Sequence, residues 1–338
     1  RPPLVKKATL VGCSMETDVA LDALEGLRDI INANLEALIE EQCAIHGEVA
    51  EVSGRILLAG GKRLRPILVH LAYELAGGEN VDEIMPLSLA SEFIHTATLV
   101  HDDINDDALT RRGEKTMHAL VGQPKAIIGG DWLFVQGFGL GGRYREEVVD
   151  VMASFCSRLA SAEFSQLDHV LDLSTSPEDY LEIVKGKTAG PFAAGCQGAA
   201  LVANASESKC QALFDFGLEL GIAFQLVDDL LDIRGDERMG KPRGADIYEG
   251  KMTLPLIHAL TLLHGQQRVR LAEIIRDFDD SLFDELISLL ESADSLSYSE
   301  ILINNHLERA LQHISIFEEC EAKQLLKHVV EMVQNRHS

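Results

Sequence analysis

Aromatic residues make up only 5% of the 338-residue chain, with a single tryptophan, and prolines number nine. Strict alternation of apolar and polar residues is hard to find anywhere, which excludes a β-rich fold. Positive charge is scarce: 30 Lys and Arg stand against 54 Asp and Glu, for a formal net charge of -24. Such a field repels nucleic-acid phosphates and anionic membrane faces, so neither is an expected general partner. A polyanionic ligand would need local lysines and arginines or bridging cations. The six cysteines, Cys13, Cys43, Cys156, Cys196, Cys210 and Cys320, form no CxxC pair and no cluster with histidine. That pattern argues against disulfides and zinc, and for reduced thiols in a cytoplasmic setting. The least charged stretch, Ala189 to Ala205, holds Pro191, Gln197 and three glycines. It reads as a buried helix, and no transmembrane segment is expected. Residues 1–15 lack the apolar core of a signal peptide; they are set apart as an N-terminal extension, and residues 16–338 are taken as the folded domain.

What is present is ample apolar side chain, 46% of residues, at helical spacing. Leu21, Leu24, Leu27, Ile30, Ile31, Leu35 and Leu38 set the pattern, and the chain reads all-α. Helices are expected near 16–45, 48–59, 64–76, 82–106, 123–140, 146–172, 177–203 and 207–234, with shorter ones beyond. Gly60-Gly61 and Gly77-Gly78 read as helix stops, and Ser176-Pro177-Glu178-Asp179 as a helix start. The helix after Ser206 is apolar nearly all round and so central. The charged, glycine-containing stretch from Arg234 to Lys251 reads as one long functional loop. No linker or repeat divides the series, so one domain is expected.

Two acidic clusters break the apolar helices. In Asp102-Asp103-Ile104-Asn105-Asp106 the outer aspartates are four apart and share a helical face; Asp228, Asp229 and Asp232 repeat the arrangement. Like charges at that spacing repel, and aspartate is a poor helix-interior residue, so each cluster needs compensation. One such cluster in an acidic chain reads most simply as a solvated helix end. Two, each following an apolar helix and each followed by a basic, glycine-containing segment (Arg111-Arg112-Gly113 and Gly240-Lys241-Pro242), point to a hard divalent cation. Magnesium held by one or two carboxylates and substrate phosphates fits best, and neither cluster has the loop of an EF-hand.

The basic residues are few enough to inspect singly. Gly60-Gly61-Lys62-Arg63-Leu64-Arg65 sets three cations after a glycine pair, either an ordinary basic turn or a second anion site. Lys187 and Thr188 lie inside an apolar helix, where lysine commonly snorkels and threonine can bond back to the helix and open it. His95 is seven residues before Asp102 and shares its face.

Taken in order, these segments, with Gly130-Asp131, Phe224-Gln225 and Glu249-Gly250-Lys251, give the chain a likeness: over residues 20 to 335 it resembles the trans-isoprenyl diphosphate synthases, or polyprenyl synthetases. The resemblance implies a single-domain antiparallel helical bundle around a deep central cavity, in which isopentenyl diphosphate condenses head to tail with an allylic diphosphate (dimethylallyl, geranyl or farnesyl). It implies that Asp102, Asp106 and Asp228 contact three Mg2+ ions, with Mn2+ able to substitute, and that Asp103, Asp229 and Asp232 order metal-bound water. Arg111, Lys187, Lys241 and Lys251 would hold the allylic diphosphate; Lys62, Arg65, Arg112 and His95 would hold isopentenyl diphosphate. Thr188 and Gln225 would face the developing carbocation, with Glu163 and Gln166 near further polar positions. The family also suggests a homodimer, sought around residues 116–140.

An isoprene unit spans about one helical turn, roughly 5 Å, so side chains in the turns before Asp102 act as a ruler. Ala97 and Thr98 are small, which leaves the first turn open; Phe93, Ile94, Trp132 and Phe134 are the next candidates for a floor, or else ordinary core. A product of geranylgeranyl length or longer is expected. Competing readings are a terpene cyclase, which would lack the Lys62/Arg65 site, a non-catalytic subunit of a heteromeric synthase, which would have lost site residues, and a redox bundle, for which Glu92-Phe93-Ile94-His95 supplies one metal motif where two are needed.

Overall fold

The structure is a computed structural model that describes residues 15–111, 113–235 and 243–336. Its helices follow from where apolar stripes begin and where glycine ends them. Helix α1 (Thr17–His46) buries Ala20, Leu24, Ile31, Leu35 and Ile39, spacings of four and seven that make one stripe. Helix α2 (Glu48–Leu58) ends before Gly60 and Gly61, and α3 (Leu64–Leu75) before Gly77; all three glycines have positive φ, as helix stops require. Helix α4 (Val81–Asn105) begins at Asn80, whose side chain accepts from the Asp82 N–H.

After α4 comes a departure from the helical pattern: β1 (Thr110–Arg111) pairs antiparallel with β2 (Glu114–Lys115) as a two-residue hairpin. Then follow α5 (Met117–Val121), α6 (Gln123–Gly141), α7 (Glu146–Asp168) and α8 (Pro177–Val184), the last opened by a reciprocal Ser176–Asp179 capping box. Helix α7 stops at Asp168, four residues short of expectation.

The expected helix 177–203 is one rod with a flaw in it. Lys185–Ala189 forms a π-helical turn between α8 and α9 (Gly190–Val202). Pro191 carries no N–H and so cannot complete the α-helical ladder just beyond this turn, and the Gly190 N–H bonds back to the Lys185 carbonyl. The opening foreseen at Thr188 is there, but by a different route: its hydroxyl leaves its own helix and donates to Gln225 at 2.9 Å.

Helix α10 (Glu207–Arg234) is the center of the bundle, packed between α9 and a later helix, α15 (Ser295–His313). Among the described residues it alone is long and apolar enough to cross a membrane, yet it lies largely inside the fold. Helices α11 (Ala245–Tyr248), α12 (Leu254–Leu262), α13 (Gly265–Arg276), α14 (Phe283–Ser292), α15 (Ser295–His313) and α16 (Glu321–Gln334) complete the chain. The expected loop 234–251 therefore contains a short helix, α11, and its residues 236–242 lie outside the described residues.

One face of α10 sets the site. Gly217, Gly221, Gln225 and Asp229 recur every fourth residue. A methyl at Gly217 would stand 2.6 Å from the Phe192 carbonyl oxygen, and one at Gly221 2.5 Å from the Ala189 Cα. The α9 and α10 backbones thus touch, and that approach delivers Gln225, one turn further on, to Thr188.

Candidate active site

Both aspartate clusters stand at the C-terminal ends of buried helices, where the carbonyl ends of the helix dipole disfavor negative charge. The fold offsets this with individual cations. Lys187 Nζ lies 3.4 Å from Asp102 Oδ2 and 3.0 Å from Glu163, and donates to Gln166 Oε1 at 2.9 Å. Arg111, on the hairpin, donates to Asp103 Oδ1 at 2.7 Å. Lys251 donates to Asp106 Oδ2 at 3.0 Å and to Glu249 at 2.6 Å. Arg336 Nη2 is 3.0 Å from Asp228 Oδ1. The four pairs mix carboxylates of both clusters with bases from the hairpin, the π turn, the segment after α11 and the chain end.

The middle aspartates are the buried ones. Burial raises the Asp103 carboxyl above its ordinary value, and Arg111 pulls against that rise. Asp229, wholly enclosed, is pushed up to about 8 by burial and by the charge of Asp246. Its two oxygens accept from Tyr180 Oη at 2.5 Å and Gln225 Nε2 at 2.8 Å. Asp232 accepts from the Asp246 N–H at 3.1 Å, tying the end of α10 to the start of α11. Burial and the Asp102 charge raise Glu163, against the pull of Lys187. For Lys251 burial opposes the charged form, but Glu249 and Asp106 outweigh it and raise its pKa above the usual lysine value.

The clusters face one another across the π turn. Lys187 and Thr188 are consecutive: the first reaches Asp102, the second reaches Gln225, which in turn bonds Asp229. A layer of rings continues this wall, for Arg65 lies 4.9 Å over Phe192, Phe192 packs 5.6 Å from Phe224, and Arg336 lies 5.0 Å over Phe224.

The basic turn after α2 is less uniform than its sequence. Lys62 is exposed and Arg65 half-buried, but Arg63 is 4% exposed, in left-handed backbone, and pointed inward. It donates to Glu92 at 2.6 Å, Asn32 at 2.9 Å and the Leu57 carbonyl at 2.9 Å. One of the three cations therefore builds the turn, leaving two at its surface. Beside it a cleft is lined by Gly60, His95, Asp103, Arg111 and Lys115. Arg112 and Lys241 lie outside the described residues.

Below the first cluster, Phe93, Ile94 and Ala97 are buried and Thr98 is half-buried, its hydroxyl returned to the His95 carbonyl. Trp132 packs 6.5 Å from Phe93, whereas Phe134 stacks on His101, level with the aspartates. Helix α6 closes on α4 through glycines: a methyl at Gly137 would meet Ile94 Cγ1 at 2.8 Å, and one at Gly130 the His101 ring at 2.3 Å.

Sequence reasoning did not select Tyr180 or Arg336. Nothing near them in the chain signals their roles, since their partners at the site come from distant segments, 49 residues away for Tyr180.

The oxygen donors suit magnesium. Asp102, Asp106 and Asp228 are partly exposed carboxylates, and among the described residues no three acidic, histidine or cysteine side chains form a closed metal cage. Magnesium needs no such cage when substrate phosphates complete its shell.

The polyprenyl synthetase family model matches residues 46–290, which hold both clusters. The short chain isoprenyl diphosphate synthase of Methanothermobacter thermautotrophicus is 35% identical over 290 residues, 84% of this chain and 89% of that one. The octaprenyl diphosphate synthase of Haemophilus influenzae is 34% identical over 315 residues, 91% of this chain and 94% of its own. Among solved structures, the polyprenyl synthase of Caulobacter crescentus, complexed with calcium and isoprenyl diphosphate, is similar with a TM-score of 0.86 at 32% identity, over 96% of this chain and 99% of that one. With similarity of sequence and of fold spanning both walls of the site, the chain belongs to the polyprenyl synthetase family and is a prenyltransferase, a prenyl diphosphate synthase.

Proposed function

We propose that the chain condenses isopentenyl diphosphate head to tail with an allylic diphosphate, in a magnesium-dependent reaction, to give an all-trans product of geranylgeranyl length or longer. The observation that carries this reading is the adjacency of Lys187 and Thr188, which ties the two aspartate clusters into one site. Asp102, Asp106 and Asp228 would hold the metal. Bound there, magnesium supplies electrostatic stabilization of the departing diphosphate.

The chain's own groups do the rest. Lys187, Lys251 and Arg111 hold the allylic diphosphate, exchanging their carboxylate partners for phosphate oxygens as the complex forms. Lys62, Arg65 and His95 hold isopentenyl diphosphate, and Arg112 and Lys241 join the two diphosphate sites. As the allylic C–O bond breaks, its electron pair leaves with diphosphate, and the isopentenyl double bond attacks the allylic carbon. Thr188 and Gln225 turn oxygen lone pairs toward the carbocation, and buried walls keep water from it. The departed diphosphate takes the final proton, so no side-chain nucleophile is needed.

A homodimer is proposed through α6, whose outer face exposes Ile127, Ile128, Val135 and Phe138. Purified protein given radiolabelled isopentenyl diphosphate, farnesyl diphosphate and magnesium should yield elongated product, measured by chromatography. No elongation by folded protein, with or without magnesium, would end this reading.

A further inference from the structure

Four side chains from three segments form a single line of hydrogen bonds along the wall that joins the two aspartate clusters. Tyr180 of α8, 6% exposed, donates to Asp229 Oδ2 at 2.5 Å. The other oxygen, Oδ1, accepts from Gln225 Nε2 at 2.8 Å, and Gln225 Oε1 accepts from Thr188 Oγ1 at 2.9 Å. Asp229 and Thr188 are themselves buried.

The line has a direction, and each link imposes the next. In this arrangement both Asp229 oxygens accept, so the Gln225 amide turns its NH2 toward Asp229 and its oxygen toward Thr188. The Thr188 hydroxyl hydrogen is then committed to Gln225, and what remains of that oxygen is lone pair. A lone pair stabilizes a nearby cation; a hydroxyl hydrogen in its place would repel it. The first link is the Tyr180 hydroxyl. By occupying Oδ2 it keeps the Asp229 carboxyl from rotating away from Gln225, after which the amide could flip and release the Thr188 hydrogen.

We propose that Tyr180 is a positioning residue for the ionization step, acting through Asp229 and Gln225 to fix the orientation of the Thr188 hydroxyl. The proposal rests on the reading that Thr188 faces the developing carbocation. It predicts an effect on turnover and little on substrate binding, because the Tyr180 hydroxyl is spent on Asp229 rather than on a basic residue.

The test is a double-mutant cycle on the full-length chain, with isopentenyl diphosphate, farnesyl diphosphate and magnesium. Tyr180→Phe should lower kcat about tenfold, with KM for both substrates and half-saturating magnesium changed less than twofold. In a Thr188→Val background the same change should have no further effect, since the group it orients is gone. Wild-type kcat in Tyr180→Phe overturns the proposal. So does a full additional tenfold loss in the double variant, or recovery of kcat at high magnesium, which would place the effect on metal binding. Wild-type kcat in Thr188→Val would instead overturn the reading of Thr188 on which the proposal stands. If circular dichroism shows Tyr180→Phe unfolded, Gln225→Met cuts the same line further along; it should lose at least tenfold in kcat, since it removes the Gln225 oxygen as well as the link, and wild-type kcat there overturns the proposal equally.

Discussion

The two aspartate clusters have the same spacing and the same place at a helix end, but their middle residues are stabilized in opposite ways. Asp103 and Asp229 are each 2% exposed. The first lies against a guanidinium, the second against a phenol and an amide. The first carboxylate is therefore balanced by a charge the protein carries, whereas the second is held by neutral donors. The difference teaches that a repeated motif need not mean a repeated environment: Arg111 pulls against the rise of Asp103, while Asp229 is hydrogen-bonded by a phenol and an amide and is pushed up to about 8.

The sharpest way to break this comparison is to remove from each wall one carboxylate proposed to hold the metal. Asp102→Ala and Asp228→Ala should each lower kcat by about 10²–10³-fold, measured by isopentenyl incorporation. A loss confined to one variant would show that the walls do not share one ligand.

Stability separates the middle residues. Arg111→Met leaves Asp103 buried without its cation and should cost about 2–3 kcal/mol in urea unfolding. Tyr180→Phe removes only a neutral donor and should cost about 1 kcal/mol. Equal costs would erase the distinction.

The pH dependence of the metal-free protein carries a sign. The Asp229 carboxyl titrates near 8 when folded and in the ordinary carboxylate range when unfolded. Between those values the folded state binds the extra proton, so stability falls as pH rises and levels off above about 8. Asp229→Asn should flatten that slope in thermal melts at pH 5 to 9, and a slope that survives the substitution would assign it to other groups.

The smallest effect on chemistry should come from Ala97→Phe, which touches neither cluster. It should shorten the product by one or more isoprene units while the first condensation proceeds within a few-fold of its normal rate. An unchanged product distribution would show that the tunnel runs elsewhere.

The helices were legible in sequence where the signal is local. The stops at Gly60 and Gly77 and the start at Ser176 depend on backbone conformation and capping, and the chain carries them in adjacent residues. The aspartate clusters were legible for the same reason. What could not be read was pairing at a distance. Arg63 looks like Lys62 and Arg65 on paper, and only the approach of Glu92 and Asn32, 29 and 31 residues away, turns it into a structural strut. The π turn was visible only as a weak spot at Thr188, because its form depends on Pro191 beyond it and on where Gln225 arrives from α10. Tyr180 could not be distinguished from any core tyrosine.

The backbone contact at Gly217 and Gly221 separates a fixed helix seam beside the site from an adjustable one. On α9 and α10 there is no side chain left to trim, so the first added methyl meets main chain and is resisted by the whole helix pair. On α4 and α6 the nearest neighbors are the Ile94 and His101 side chains, which can change rotamer or be exchanged, with main chain, the Ala90 carbonyl oxygen, next at 3.3 Å from the Gly137 position. Mutational drift in the volume of the cavity should therefore accumulate along the α4–α6 seam, and relatives of different product length should differ there while the α9–α10 seam stays glycine.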